Sequence, residues 1–267
     1  TPEHTVKDIL ESLLKTLDQG QDAIFCGIVE SSGSAPRTSG ARMLVLPDGA
    51  IRGSVGGGPV EGASLARARK MLDLGESHVL LPFDLNSPTA AQAGMVCGGA
   101  VTVLLQRLAP EQRGLFAKLL TLHAEQKRPA LITILAPGKE PVLNVWSAAT
   151  GLESMDLPES MTAELARKAS KTRQNFSLQG NGLTVFAEPL VAPTVVHLVG
   201  AGHVALATSR VASFAGFEVV VMDDRAEFAS AERYPEAREV RVLKNFNECL
   251  KDLGPDDYVV IVTRGHL

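Results

Sequence analysis

Residues 194–205 read TVVHLVGAGHVA. An apolar, β-branched run from Thr194 to Val199 enters Gly200-x-Gly202-x-x-Ala205, and a helical pattern follows to about Ala215. A strand that feeds a glycine turn and then a helix is the setting a dinucleotide fingerprint requires, and alanine is accepted at its third position. Gly200 permits the tight turn, Gly202 lets the backbone approach a pyrophosphate, and Ala205 lets the helix pack on the strand. Asp223 ends a second apolar strand, Glu218 to Met222, where an acidic side chain accepts hydrogen bonds from a ribose. Glu239 to Leu243 and Asp257 to Val262 read as third and fourth strands, with a short helix from Phe246 to Leu253 between them. This alternation predicts a Rossmann-like, doubly wound parallel sheet buried on both faces. His197, inside the first strand, reads as a core histidine. His203, at the helix start, is a candidate phosphate donor, and Asp224 with Arg225 reads as a surface pair. Thr263-Arg264-Gly265-His266 forms the tip of the fourth strand, at the end of the sheet where ligands bind.

Working back from that sheet, Pro189 to Pro193 (PLVAP) is a proline-bracketed link. It divides the chain into a domain of residues 1–190 and a Rossmann-like domain of residues 191–267, truncated at its end. The first domain mixes helices and hairpins without regular alternation, which predicts α+β architecture. Thr5 to Leu17 has apolar residues at helical spacing, with a capping-box-like Thr5 and Asp8. Ala23 to Glu30 is a buried strand that contains Cys26. Arg42–Pro47 and Ala50–Ser54 flank Asp48-Gly49, and Asn175–Gln179 and Leu183–Glu188 flank Gly180-Asn181-Gly182, two hairpin signals. Ala130–Leu135 and Val142–Trp146 form another strand pair around Pro137-Gly138. Helices are predicted from Pro59 to Leu74, with Leu65, Ala66, Ala68, Met71 and Leu72 inward, from Pro110 to about Gln126, and over most of Leu157–Lys171.

The densest chemistry in this domain lies in residues 33–62, GSAPRTSGARMLVLPDGAIRGSVGGGPVEG. Gly56, Gly57 and Gly58 precede Pro59, a residue favoured in the first turn of a helix, so the loop leads into a helix N-terminus. Backbone amides placed that way face an anion. Ser54, with Arg37 in its Ser/Thr-rich loop, adds further donors. Cys97, flanked by Gly98, is the one residue outside the core pattern with reactive potential, since a thiolate ligates or attacks. No HExxH, CxxC, GxSxG or Walker A sequence occurs.

The formal net charge is -4 and aromatic residues make up 4%. Neither fits a nucleic-acid or anionic-membrane partner. Three cysteines without CxxC spacing fit a reducing compartment, and the N-terminal TPEHTVKDIL is not a signal peptide, so the cytoplasm is expected. Both ends read as trimmed.

GSAPRTSGARMLV with RGSVGGGPVEG, the MVCGG run, HLVGAGHVA followed by MDDR, and the VIVTRGH tip together resemble the XdhC/CoxI family. These are accessory proteins for molybdenum hydroxylases such as xanthine dehydrogenase. The resemblance implies a cytosolic chaperone, not a turnover enzyme. It would bind molybdenum cofactor, protect it while a cysteine desulfurase installs the terminal sulfur, and pass it to an apo molybdenum hydroxylase. It also implies a homodimer. Under it, Arg37, Ser54, Gly56, Gly57 and Gly58 suit the phosphate of molybdopterin. Gly200, Gly202, His203 and Asp223 suit the nucleotide of a dinucleotide form, and Cys97 with Gly98 stands near molybdenum or a sulfur in transit. Two other readings stay open. Gly200, Gly202 and Asp223 alone describe an NAD(P)-dependent oxidoreductase with substrate held in the first domain. A structural partner with a Rossmann-type dimerisation scaffold is the third.

Overall fold

Val6, Ile9, Leu10, Leu13, Leu14 and Leu17 recur at helical spacing and form α1, Val6–Asp18, with Ile9, Leu10, Leu13 and Leu17 buried. Gly20, at φ +73°, lets the chain turn out of that helix into the first strand. The computed structural model describes residues 6–32, 41–86, 98–152, 157–191, 193–247, 249–251, 253–254 and 256–264. They fall into two compact units, Thr1–Val191 and Ala192–Leu267.

The first unit contains two antiparallel sheets. One is ordered β3-β2-β1-β5-β4, from β1 (Ala23–Ser32), β2 (Arg42–Val45), β3 (Ile51–Gly53), β4 (His78–Asp84) and β5 (Ala100–Leu108). The other is ordered β7-β6-β9-β8, from β6 (Ala130–Leu135), β7 (Val142–Trp146), β8 (Phe176–Gly180) and β9 (Leu183–Pro189). β1 is buried on both faces because its two alternating side-chain sets are both apolar. Ile24, Cys26 and Ile28 pack with Val60, Ala68 and Met71 of α2 (Gly58–Leu74). Ala23 and Phe25 pack with α1, with Phe116 and Leu119 of α3 (Arg113–Ala124), and with Leu131 and Val145 of the second sheet. The outer face of that second sheet is covered by Met161, Leu165 and Ala169 of α4 (Glu159–Ala169).

The predicted hairpins form as read. Asn181 and Gly182 both take positive φ, 52° and 73°, the pair a two-residue twisted hairpin turn demands. One contact had no local signal: Arg42 Nε on β2 donates to Glu188 Oε1 on β9 at 2.8 Å, with both side chains under a tenth exposed.

The second unit is a four-stranded, all-parallel sheet ordered β12-β11-β10-β13. Its strands are β10 (Val195–Val199), β11 (Glu218–Asp223), β12 (Glu239–Val242) and β13 (Tyr258–Ile261), with α5 (His203–Phe214) after β10. Val196 and Leu198 face α5, while Val195 and Val199 share the opposite core with Val220 and Met222. The order reverses between β10 and β13, which makes the loops after those strands the two lips of a switch-point crevice.

Three details differ from expectation. The described residues of Phe246–Leu253 form turns instead of a helix; Phe246, Cys249 and Leu250 still cover the sheet, so burial does not need a helical period there. Ala66 is exposed, because α2 buries the narrower Val60, Ser64, Ala68, Met71 stripe. The helix expected from Pro110 starts as a short 3-10 turn, Pro110–Gln112, and α3 ends at Ala124.

Candidate functional site

Gly53 must be glycine: it lies at φ +76°, and a Cβ there would sit 2.3 Å from the Arg42 carbonyl oxygen. Gly56, Gly57 and Gly58 follow at φ +117°, +71° and +59° and turn the chain into α2. The Val55, Gly56 and Gly57 amides of this loop are already occupied. Glu61, in the first turn of α2, reaches back so that its Oε2 accepts from Ser54 Oγ at 2.5 Å and from the N–H groups of Val55 and Gly57 at 3.2 Å each. Gly56 N–H donates to Ser54 Oγ at 3.0 Å. The chain thus supplies its own carboxylate where the sequence pointed to an external anion, and favours it with the helix N-terminus. Ser54 and Gly57 gather on Glu61, and Gly56 joins them through Ser54 Oγ.

Arg37 and Cys97 lie outside the described residues. Gly98 is described: a Cβ on it would come within 2.8 Å of Asn86 Oδ1, which accepts from Gly99 N–H at 3.0 Å. Packing against Asn86 accounts for that glycine. Among the described residues, no group of three or more His, Cys, Asp or Glu side chains is placed to hold a metal ion. Burial pushes the Cys26 thiol up, so it behaves as core.

At the Rossmann turn, Gly200 has φ +103°, and a Cβ would meet the Val262 carbonyl oxygen at 2.7 Å. Its absence lets the ends of β10 and β13 close together, where Val262 N–H donates to the Val199 carbonyl at 2.8 Å. Gly202 differs. Its φ is -77°, and a Cβ there would meet nothing within 4 Å. No described contact of the protein requires glycine at that point, and the clear space in front of it suits a bound group. His203 opens α5 and is exposed.

Asp223 is 2% exposed and fully engaged. Its Oδ2 accepts from Ala201 N–H at 2.7 Å and Arg225 Nη2 at 3.0 Å; its Oδ1 accepts from Arg225 N–H at 3.0 Å and Arg225 Nε at 2.9 Å. Burial alone would raise its pKa, but these bonds from Arg225 and Ala201 outweigh it and hold the carboxyl well below the usual range. The expected ribose acceptor therefore faces inward and braces the glycine turn. Arg225 does pair with Asp224, Nε to Oδ1 at 3.8 Å, as read, but it is held more tightly on the buried Asp223, and its guanidinium carbon lies 3.8 Å from the Phe228 ring centroid. The segment after β11 also closes on the turn: Tyr234 Oη donates to the Gly202 carbonyl at 3.3 Å, and Ser209 Oγ on α5 donates to Glu236 at 2.7 Å. His197 is the core histidine expected, with Nε2 3.0 Å from Asp257 Oδ2.

Two family models match the chain. The XdhC and CoxI family model covers residues 16–84, and the XdhC Rossmann domain model covers residues 196–267. The chain belongs to the XdhC and CoxI family. A probable xanthine dehydrogenase subunit from Bacillus subtilis is 27% identical over 238 residues, which are 88% of this chain and 67% of that protein. The molybdenum cofactor insertion chaperone PaoD of Escherichia coli is 34% identical over 123 residues, 46% of this chain and 37% of PaoD. In fold, the XdhC and CoxI chain is similar to a solved structure described as a xanthine dehydrogenase from Bacillus halodurans. The TM-score is 0.71 at 23% identity, over 96% of this chain and 75% of that one. Both glycine loops fall within the matched stretches. Glu61 and Arg225, which fill and brace them, had only weak signals in the sequence: a carboxylate just inside a helix start, and a cation two residues after the expected acid.

PaoD is named for inserting molybdenum cofactor, a group that carries a phosphate. The first loop, with its Val55 and Gly57 amides on Glu61, does not present those donors to a phosphate in this conformation. The second turn does fit one, with clear space at Gly202, the N-terminus of α5 and the Arg225 guanidinium at the same end of the sheet.

Proposed function

We propose that this chain is an accessory protein for molybdenum hydroxylases of the xanthine dehydrogenase type, holding molybdenum cofactor for insertion into the apo enzyme. What carries the reading is the match of both halves of the chain to models of one family, with a relative named for cofactor insertion. In this reading the second unit holds the phosphate end of the cofactor at Gly202 and Arg225. Gly200 keeps the two lips of the crevice together, and Asp223 fixes the turn. The bound cofactor would bring the molybdenum-dithiolene chemistry; the chain's own residues bind and orient it. Cys97 belongs to the proposal only by its chemistry, as a thiol able to ligate the metal or carry the incoming sulfur. Protection during sulfuration with a cysteine desulfurase, a homodimeric state and a cytoplasmic location complete it. Among the described residues no helix is long and apolar enough to cross a membrane.

The oxidoreductase alternative needs Asp223 to accept from a ribose diol. The bonds from Ala201 and Arg225 leave that carboxylate little capacity to do so. The proposal is tested by purifying the protein anaerobically from a molybdenum-replete host, oxidising it, and measuring pterin fluorescence. Transfer to an apo hydroxylase is then followed as recovered activity. Pterin in the preparation and transfer-dependent activation are expected. A pterin-free protein that leaves activation unchanged overturns the reading.

A further inference from the structure

We infer that the crevice at the end of β10 and β11 selects a phosphomonoester, and that Arg225 is the residue that reads it. A carboxylate offers about four lone-pair sites. Asp223 has four donors on its two oxygens, from Ala201 N–H, Arg225 N–H, Arg225 Nε and Arg225 Nη2. A ribose diol, which must donate to an acid at this position, finds no acceptor there. It meets a guanidinium instead.

That guanidinium is built to present charge. Asp223 grips it from below along the Nε–Nη2 edge, and Phe228 stacks on it at 3.8 Å. Both restraints lower the entropy lost when a ligand is gripped, and a planar fork suits phosphate oxygens. Nη1 makes no bond among the described residues and remains for a ligand. Arg233 leans on the same ring, 5.1 Å from its centroid. Across the switch point Arg264 stands 4.0 Å from Asp224. The acids nearby are Asp223, buried beneath Arg225, Asp224, shared between Arg225 and Arg264, and Glu227. Arg225 and Arg233 thus share the Phe228 ring, Arg264 shares Asp224 with Arg225, and the one buried acid of the group faces inward. Gly202 adds space for backbone contact.

The shared chemistry is a dianionic phosphate ester, from either of two sources: the 2′-phosphate of NADP or the terminal phosphate of a pterin. The inference rests on the proposed function only in counting the pterin among the candidates. Binding to the full chain is measured by calorimetry for two pairs. They are NADP against NAD, and the oxidised pterin phosphate released from molybdenum cofactor against its dephosphorylated form. In at least one pair the phosphorylated member is expected to bind about tenfold or more tightly, and the responding pair identifies the source. Arg225→Gln should bring that ratio to near unity. Arg225→Lys should leave an intermediate ratio, since charge survives but the fork does not. Asp223→Asn should also lower the ratio, as a positioning residue would, with circular dichroism confirming the fold.

Equal binding within both pairs, no binding of either phosphorylated probe, or a ratio that survives Arg225→Gln overturns the inference. The wild-type ratios test it even where a variant fails to fold. A discriminating NADP pair with no pterin binding keeps the inference and removes cofactor handling from this unit. Pterin retention with a ratio of one does the reverse.

Discussion

Glu61→Ala separates an internally satisfied loop from one waiting for an anion. Glu61 Oε2 accepts one short bond from Ser54 Oγ, 2.5 Å, and two longer ones from Val55 and Gly57 N–H, 3.2 Å each. Bonds to a charged group contribute about 1.5–3 kcal/mol when well formed; for a half-buried acceptor with two long bonds, about 1 kcal/mol each is the apt scale. Water returns part of this to the freed donors, so the expected loss is about 2 kcal/mol. In a unit of this size that lowers the melting temperature by about 4–8 °C. Glu61→Gln keeps an acceptor and loses the charge, so it should lose about half as much. Urea denaturation followed by circular dichroism measures both. Rescue is the sharper readout, because the emptied amides should now accept an added anion. Phosphate at ten times its dissociation constant would restore about 1.4 kcal/mol to the alanine variant, with little effect on wild type. An alanine variant as stable as wild type, or equal stabilisation of both by phosphate, refutes this account of the loop.

Three further outcomes follow from the same geometry. Arg42→Met or Glu188→Leu alone should each cost about 3–5 kcal/mol by stranding a buried charge, while the double variant recovers most of it, as a double-mutant cycle in urea would show. Gly200→Ala should destabilise the second unit strongly because its Cβ meets the Val262 carbonyl; Gly202→Ala should fold normally and weaken only phosphate-ligand binding, by thermal scans and calorimetry respectively. For Asp257, burial raises the pKa, but bonds from Gly254 N–H, His197 and Val195 N–H outweigh it, so the folded carboxyl lies below its ordinary 3.8. Its stabilisation is complete above that value and fades as pH falls through the lower folded pKa, so Asp257→Asn should flatten the acid limb of stability measured below about pH 4.

Elements are legible where local chemistry decides them. The Asp48-Gly49 and Asn181-Gly182 turns announce their hairpins by backbone conformation, and the Gly200 turn announces the switch point by its place between strand and helix. Phe246–Leu253 misleads because a short apolar run has no period long enough to separate a helix from turns that bury the same side chains. The partners of the site residues are less legible. Glu61 lies seven residues from Ser54, and Arg42 lies 146 residues from Glu188. No local rule joins either pair. Asp223 is found by its position but not by its job, since an acid at the end of the second strand looks the same whether it awaits a ribose or holds an arginine.

The order β12-β11-β10-β13 carries a consequence for synthesis. β10 is made early in its unit, but one of its neighbours is β13; Asp257, which bonds Val195 N–H, follows it by 62 residues. Parallel pairing over that distance is slow and must await the later strand. The crevice beside Gly200 has only one lip until Val262 arrives. A nascent chain on the ribosome therefore passes through a stage in which the glycine turn exists but the finished pocket does not. Under the proposed function, ligand capture is then a late event, tied to the docking of the last described strand.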